Sequence, residues 1–76
     1  MKKCKIKLIW SEEENFWYSE SMDERFEMTL GSNSIEVLIE RVKIAVPDML
    51  EFIGYIGEVD LSFEIDRHYK LEVVAS

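Results

Sequence analysis

The sequence predicts an α+β domain in which an antiparallel β-meander carries one kinked helix on one face, in the order β-β-β-α-β. Apolar and polar residues alternate before residue 31 and again after residue 58, which is typical of half-buried strands. Between them, residues 35–53 repeat apolar side chains at steps of three and four, which is typical of one helix face. Pro47, the only proline, lies inside this helical pattern, removes one backbone donor and predicts a kink.

The chain length of 76 residues predicts a single domain, residues 1–76. Cys4 is the only cysteine, which fits a reducing, cytoplasmic compartment. The lysine-rich N-terminus has no long apolar run, so it predicts neither a signal peptide nor a membrane span. The net charge of −7 disfavours binding to phosphate backbones and favours a basic partner instead. We therefore expect no direct contact with nucleic acid or with a membrane.

The first predicted strand is Lys3–Trp10, whose apolar residues point to one face and whose lysines point to the other. We interpret the lysines as a solvated sheet face or a protected edge. A phosphate-binding stripe is the alternative, which the acidic balance of the chain disfavours. The apolar residues are Cys4, Ile6, Leu8 and Trp10, and the lysines are Lys3, Lys5 and Lys7.

The second predicted strand, residues 16–21, follows a polar turn at Ser11–Asn15 and carries aromatic residues on both faces. Phe16 and Tyr18 share one face, and Trp17 takes the other. Because only one face of the sheet can meet the helix, we expect at least one large aromatic side chain to stay partly exposed, which points to an interface. The alternative is that Trp17 packs across the lysine stems of the first strand, with cation–π stabilisation.

The third predicted strand runs from Phe26 to Leu30, and the meander ends at Gly31. Ser34 is the predicted N-cap of the helix, and Gly54 is its predicted stop. One helix face is expected to form the core with the sheet. The residues expected in this core are Leu38, Val42, Ala45 and Met49 on the helix, and Ile6, Leu8, Leu61 and Phe63 on the strands.

The fourth predicted strand is Val59–Ile65, with alternate residues pointing inward. Beyond Asp66, the same alternation resumes at Tyr69, Leu71 and Val73. This second run is either the same strand continued past a bulge or a short fifth strand.

No group of residues in the chain predicts catalysis, a cofactor site or a metal site. His68 is the single histidine, and only Asp66 is placed to orient it. One cysteine and one histidine far apart do not make a zinc site, and Glu12-Glu13-Glu14 lacks the ligand spacing of a calcium loop. Glycine-rich phosphate loops and serine nucleophile motifs do not occur. We therefore expect a non-enzymatic chain.

The order of the elements, Trp17 in the second strand and the helical segment 41–51 resemble the HicB-like antitoxin fold. More closely, the chain resembles a short bacterial branch of that group that is described as a domain of unknown function. Its helix pattern is leucine, acid, arginine and then valine-proline-acid-leucine-leucine. The residues that match this pattern are Leu38, Glu40, Arg41, Val46, Pro47, Asp48 and Leu50.

Two departures from the HicB-like pattern affect what the resemblance implies. Residues 22–25 replace the proline-glycine turn that relatives have between the second and third strands. Full-length HicB antitoxins also carry a helix-turn-helix or ribbon-helix-helix segment that binds operator DNA. Residues 1–76 contain no counterpart of it, so we do not expect repression by direct DNA contact.

The resemblance implies a protein-binding, antitoxin-like module that neutralises a small basic HicA-type RNase toxin. The alternative is a stand-alone homo-oligomeric adaptor or small-ligand-binding domain. An acidic surface is what the first role needs electrostatically. We expect the partner surface to combine Glu20 and Glu27 with whichever of Trp17 and Tyr18 stays exposed.

Overall fold

The structure is a computed structural model that describes residues 1–24 and 27–75. It contains four strands and one helix within these ranges, in the predicted order β-β-β-α-β. The elements are β1 (Lys2–Ser11), β2 (Phe16–Ser21), β3 (Gly31–Ser32), α1 (Ile35–Phe52) and β4 (Val59–Asp66). The α+β class and the order of the elements are therefore confirmed.

The strands form one sheet in the order β3-β2-β1-β4. β1 pairs with β2 and β2 with β3 in antiparallel fashion, as predicted for the meander. β4 pairs with β1 in parallel, with Lys2 opposite Val59 and Leu8 opposite Ile65. The sheet is thus mixed, and the expectation of an antiparallel sheet is wrong at β4. The cause is α1, which carries the chain back along the sheet, so that β4 starts at the same end as β1.

The third strand is shorter and later than predicted. Phe26, the first residue of the predicted strand, lies outside the described residues, and residues 27–30 form no regular strand. Leu30 nevertheless lies beside β2, where its carbonyl accepts a hydrogen bond from the Ser19 N–H (2.8 Å) and its N–H donates to the Ser19 hydroxyl (3.0 Å). A side-chain oxygen thus takes the place of a ladder carbonyl, which delays regular pairing until Gly31.

The meander does not end at Gly31 as predicted, because Gly31 is the first residue of β3, where it allows close packing. It lies opposite Tyr18 within β3, and the ring of Phe16 packs against its Cα. A Cβ at this position would collide with that ring. The missing side chain therefore allows the aromatic ring to cover the sheet edge.

α1 begins as predicted and runs without a break. The Ser34 Oγ accepts a hydrogen bond from the Val37 N–H at 3.4 Å, which confirms the N-cap. Pro47 lies inside the helix and does not divide it into two. In residues 1–24 and 27–75, no helix is both long enough and apolar enough to cross a membrane.

The end of α1 is a Schellman motif. The Tyr55 N–H donates to the Leu50 carbonyl and the Gly54 N–H donates to the Glu51 carbonyl, each at 2.9 Å. Gly54 adopts a φ of +91°, which favours glycine because it has no Cβ. The predicted helix stop at Gly54 is therefore confirmed.

The core lies between α1 and the inner face of β1 and β2. Every fourth residue of the helix is buried, and each of these side chains is at most 1% exposed. Ala45 and Met49, which were expected at the centre of this contact, pack at its margin instead. The buried row follows a ridge of residues four apart, which is inclined to the helix axis. The buried helix residues are Leu38, Val42, Val46 and Leu50, and they face Cys4, Ile6, Leu8 and Trp17.

The chain beyond β4 has no regular secondary structure in residues 67–75. Neither a continuation of β4 nor a fifth strand forms within one copy of the chain. Apolar residues of this segment, Tyr69, Leu71 and Val73, are exposed.

Replacing Leu38 by Ala should lower the free energy of unfolding by about 2–5 kcal/mol, because it removes a fully buried side chain and leaves a cavity. The neighbouring substitution Val37→Ala is the matched control, since Val37 is 45% exposed and should cost about 0.5 kcal/mol or less. Urea denaturation followed by circular dichroism measures both. Equal losses for the two variants would show that the assigned helix face is wrong.

Candidate protein-binding surface

A concave surface lies where β2 ends and the chain turns back. It encloses about 430 Å³. Four of its lining residues are acidic, and none of the described lining residues is basic. We call it the acidic groove. It is lined by Glu20, Ser21, Met22, Asp23, Glu24, Glu27, Met28 and Thr29.

The turn beneath the acidic groove is held by side-chain hydrogen bonds in place of a proline-glycine pair. The Ser21 Oγ accepts from the Asp23 N–H at 3.1 Å, and the Ser21 hydroxyl donates to the Asp23 carbonyl at 3.3 Å. The Lys2 Nζ lies 3.3 Å from the Asp23 carboxylate and ties the turn to β1. Asp23 therefore serves the turn, whereas Glu20, Glu24 and Glu27 are exposed to solvent.

A second depression adjoins the acidic groove on the face of the sheet that α1 does not cover. Phe16 and Tyr18 alternate with the buried Trp17 and Ser19, so their rings lie on this outer face. The two depressions meet at Thr29, which lines both. We call the two together the acidic–aromatic surface. The second depression is lined by Glu14, Phe16, Tyr18, Thr29, Leu30 and Gly31.

The structure brings three of the four predicted site residues to this surface. Glu20 and Glu27 line the acidic groove together, although they lie on different segments. Tyr18 is half-buried in the adjoining depression. Trp17 points to the opposite face and is only 6% exposed. The aromatic residue that stays accessible beside the two glutamates is therefore Tyr18.

Trp17 belongs to an aromatic cluster on the helix side of the sheet and does not lie across the lysine stems of β1. Its ring packs edge-on against Trp10, with ring centroids 5.4 Å apart and planes at 61°. The cation over the pair is Arg67, whose guanidinium carbon lies 4.4 Å from the Trp10 centroid and 5.6 Å from that of Trp17. The Tyr69 ring lies 5.0 Å from the same atom.

The sequence analysis did not predict this cluster, although the pairing of its two tryptophans could have been inferred from the sequence. Trp10 and Trp17 flank the short turn between the first two strands at equal distances, which places them opposite each other in a hairpin. Arg67 joins them only because β4 runs parallel to β1, so that Asp66 lies opposite Ile9. That pairing depends on the path of α1 and has no local signature.

The single cysteine and the single histidine lie in different environments. Cys4 is 2% exposed. Burial raises the pKa of its thiol, and the negative charge of Asp23 raises that pKa further. His68 is exposed, and its Nε2 lies 2.6 Å from the Asp66 carboxylate. Across residues 1–24 and 27–75, no three His, Cys, Asp or Glu side chains converge as metal ligands would.

Comparison with known protein families identifies the family of this chain. The family model described as "Domain of unknown function (DUF1902)" matches residues 3–74. The chain belongs to this family. The match includes the helix and all the described strands except Lys2, the first residue of β1, and it confirms the predicted resemblance to a domain of unknown function.

The DUF1902 chain also shares its fold with a solved structure. This is the crystal structure of the hypothetical protein TTHA1013 from the extremely thermophilic bacterium Thermus thermophilus. The two are 24% identical with a TM-score of 0.73, over 92% of this chain and 100% of the other. At this identity the likeness concerns the fold alone. None of the curated proteins matches the chain.

The raised pKa of Cys4 should make the stability of this DUF1902 domain fall at alkaline pH. An unfolded thiol ionises near its ordinary pKa of 9.0, whereas the folded thiol holds its proton to higher pH. The unfolded state therefore loses protons first, and the free energy of unfolding should decrease as pH rises above about 9. Urea denaturation between pH 8 and 10, compared with Cys4→Ala, measures this contribution. An identical pH dependence in the variant would contradict it.

Proposed function

We propose that this DUF1902 domain is a non-enzymatic, antitoxin-like module that neutralises a small basic RNase toxin of the HicA type through its acidic–aromatic surface. Two considerations support this proposal. One is the resemblance of the element order and the helix pattern to HicB-like antitoxins. The other is the chemistry of the surface, which suits a basic protein.

The observation that carries the proposal is the convergence of Glu20, Glu24 and Glu27 around one groove. Their carboxylates are exposed to solvent and accessible to an approaching partner. The chain as a whole carries a net charge of −7, which adds a long-range attraction for a basic partner. Such complementarity raises the rate of association and excludes acidic partners.

Tyr18 supplies the binding affinity that exposed charges alone do not provide. Exposed charge pairs at the rim of an interface contribute little to affinity, whereas a central aromatic side chain often contributes most of it. Tyr18 lies beside the acidic groove, with Phe16 in the same depression. A basic partner can therefore be oriented by the glutamates and anchored on the tyrosine ring.

Neutralisation follows from competition for positive charge. An RNase toxin binds RNA phosphates through basic side chains. If those side chains pair with Glu20, Glu24 and Glu27, the RNA loses its binding surface. This mechanism requires no bond to be made or broken by the module, and it draws on exposed carboxylates rather than on Cys4 or His68.

The test is binding to a purified small basic protein whose gene neighbours that of this chain. The wild-type chain should co-purify with it and should stop its cleavage of RNA at equimolar ratio. A basic neighbour that cleaves RNA but neither binds the chain nor is inhibited by it would refute the antitoxin role.

Reversing two charges in the acidic groove should slow this association. The double variant Glu20→Lys/Glu27→Lys should lower the association rate constant by about tenfold at low salt and flatten its salt dependence. Glu12→Lys/Glu13→Lys is the matched control, because it makes the same change in net charge in the turn at the other end of β2. Stopped-flow kinetics across a salt series separates the two. Equal effects of both variants would exclude the acidic groove as the contact.

The anchor has a separate test. Tyr18→Ala should raise the dissociation rate constant by about tenfold, because it removes the aromatic contact and leaves the charges in place. Surface plasmon resonance measures this rate. An unchanged dissociation rate would exclude the aromatic depression from the interface.

A further inference from the structure

The inner face of β4 is incompletely covered. In β1, the inner residues Cys4, Ile6 and Leu8 are at most 2% exposed. In β4, none of the inner residues is fully buried, and Ile65 is 59% exposed. The backbone of α1 approaches β2 and β3, which leaves β4 at the uncovered side of the sheet. These inner residues of β4 are Val59, Leu61, Phe63 and Ile65.

β4 is also an edge strand. The strand order β3-β2-β1-β4 gives it β1 as a neighbour on one side, and no described residue pairs with its other side. Its unpaired N–H and C=O groups are therefore open to another strand. Beside this edge runs a largely apolar groove between α1 and β4, which we call the edge groove. It is lined by Lys43, Val46, Pro47, Val59, Leu61 and Phe63.

The segment after β4 has the alternating composition of a strand, and a strand could pair with the open edge of β4. Tyr69, Leu71 and Val73 alternate with polar or exposed neighbours and are 66%, 89% and 97% exposed. Arg67 and Tyr69 both lie on the helix side of the sheet, since the guanidinium of Arg67 is over Trp10 and near the Tyr69 ring. Arg67 and Tyr69 thus keep to the face on which the inner residues of β4 lie, and the sequence alternation continues to Val73.

The segment points away from its own edge. The molecule is 60 Å long but only 22 Å and 20 Å across. A ten-residue strand accounts for about 33 Å of this length, so residues 67–75 extend beyond the sheet. To pair with β4 of its own copy, the chain would have to reverse its direction within the three residues after Asp66. Arg67 is one of them, and it is held over Trp10 and Trp17.

We propose that residues 69–75 of one copy of the chain pair antiparallel with the open edge of β4 in a second copy, and that the exchange is reciprocal about a twofold axis at Arg67. Each copy then supplies the strand that covers the other's edge groove. The interface is the same patch on both copies, as closed twofold dimers require.

Side-chain chemistry selects this register. It places Leu71 opposite Phe63 and Val73 opposite Leu61 of the second copy, on the helix side. On the outer face it places Lys70 opposite Glu64 and His68 opposite Asp66, so opposite charges meet. A slip of one residue would turn Leu71 and Val73 to the outer face.

A slip of two residues is disfavoured by charge. In one direction it would keep the apolar face but set Glu72 opposite Asp60 and Asp66 opposite its own copy. In the other direction it would set Glu72 opposite Glu64. Arg67 does not oppose the proposed register, although it lies on the axis, because each guanidinium reaches back over its own Trp10 and away from the edge.

The test is sedimentation equilibrium of the purified full chain and its variants. The wild-type chain should be a dimer. Leu71→Asp should convert it to a monomer, without loss of monomer stability, because Leu71 is 89% exposed within one copy. A wild-type chain that is monomeric at all concentrations, or a dimer that persists in Leu71→Asp, overturns the proposal.

A charge exchange tests the register. Glu64→Lys and Lys70→Glu should each raise the dimer dissociation constant by about tenfold, because each creates two like-charge contacts per dimer. The double variant Glu64→Lys/Lys70→Glu should restore the wild-type constant to within about threefold. Failure of the double variant to restore dimerisation overturns the proposed pairing.

A matched control, and a measurement that detects folding of the segment onto its own β4, complete the experiment. Glu13→Lys makes the same change of charge as Glu64→Lys in the turn before β2, away from β4, and should leave the dissociation constant unchanged. Hydrogen exchange should show slow amides in residues 69–74 of the dimer alone. Slow exchange of these amides in a monomer would mean that the segment folds onto its own β4, and it would overturn the proposal.

Discussion

The burial of one stripe of α1 against the inner face of β1 and β2 is the constraint on which the rest of the structure depends. Leu38, Val42, Val46 and Leu50 are buried in one core cluster with residues of both strands, and each contributes about 1.5–3 kcal/mol by leaving water. To bury the whole stripe, α1 must run along the sheet and return the chain to the end where β1 begins. The parallel pairing of β4 follows from this return.

The same constraint separates the two surfaces of the molecule. α1 covers only one face, so the outer face keeps the lysines of β1, Tyr18 and Glu20. α1 also approaches β2 and β3 more closely than β4, so apolar surface is left over at the edge of β4. The acidic–aromatic surface and the edge groove therefore lie on opposite sides of β1.

Features that depend on interactions between residues close together in the chain were predictable from the sequence. Ser34 caps the helix with its own hydroxyl, and Gly54 ends it because it adopts a positive φ. The acidic groove was predictable in part. Glu20 and Glu27 follow from the turn between the second and third strands, whereas the choice of Tyr18 over Trp17 as the accessible aromatic required knowing which face of β2 the helix covers.

The sequence by itself determined the element types, their order, the helix ends and the apolar face of β1, because periodicity and capping act within a few residues. Only the tertiary structure decided the direction of β4, the burial of Trp17 beneath Arg67 and the incomplete cover of β4. Each of these depends on where α1 lies across the sheet, and that position is set by the fit of two apolar surfaces formed by residues far apart in the chain. A periodic pattern shows that such surfaces exist, but it does not show how they are placed against each other.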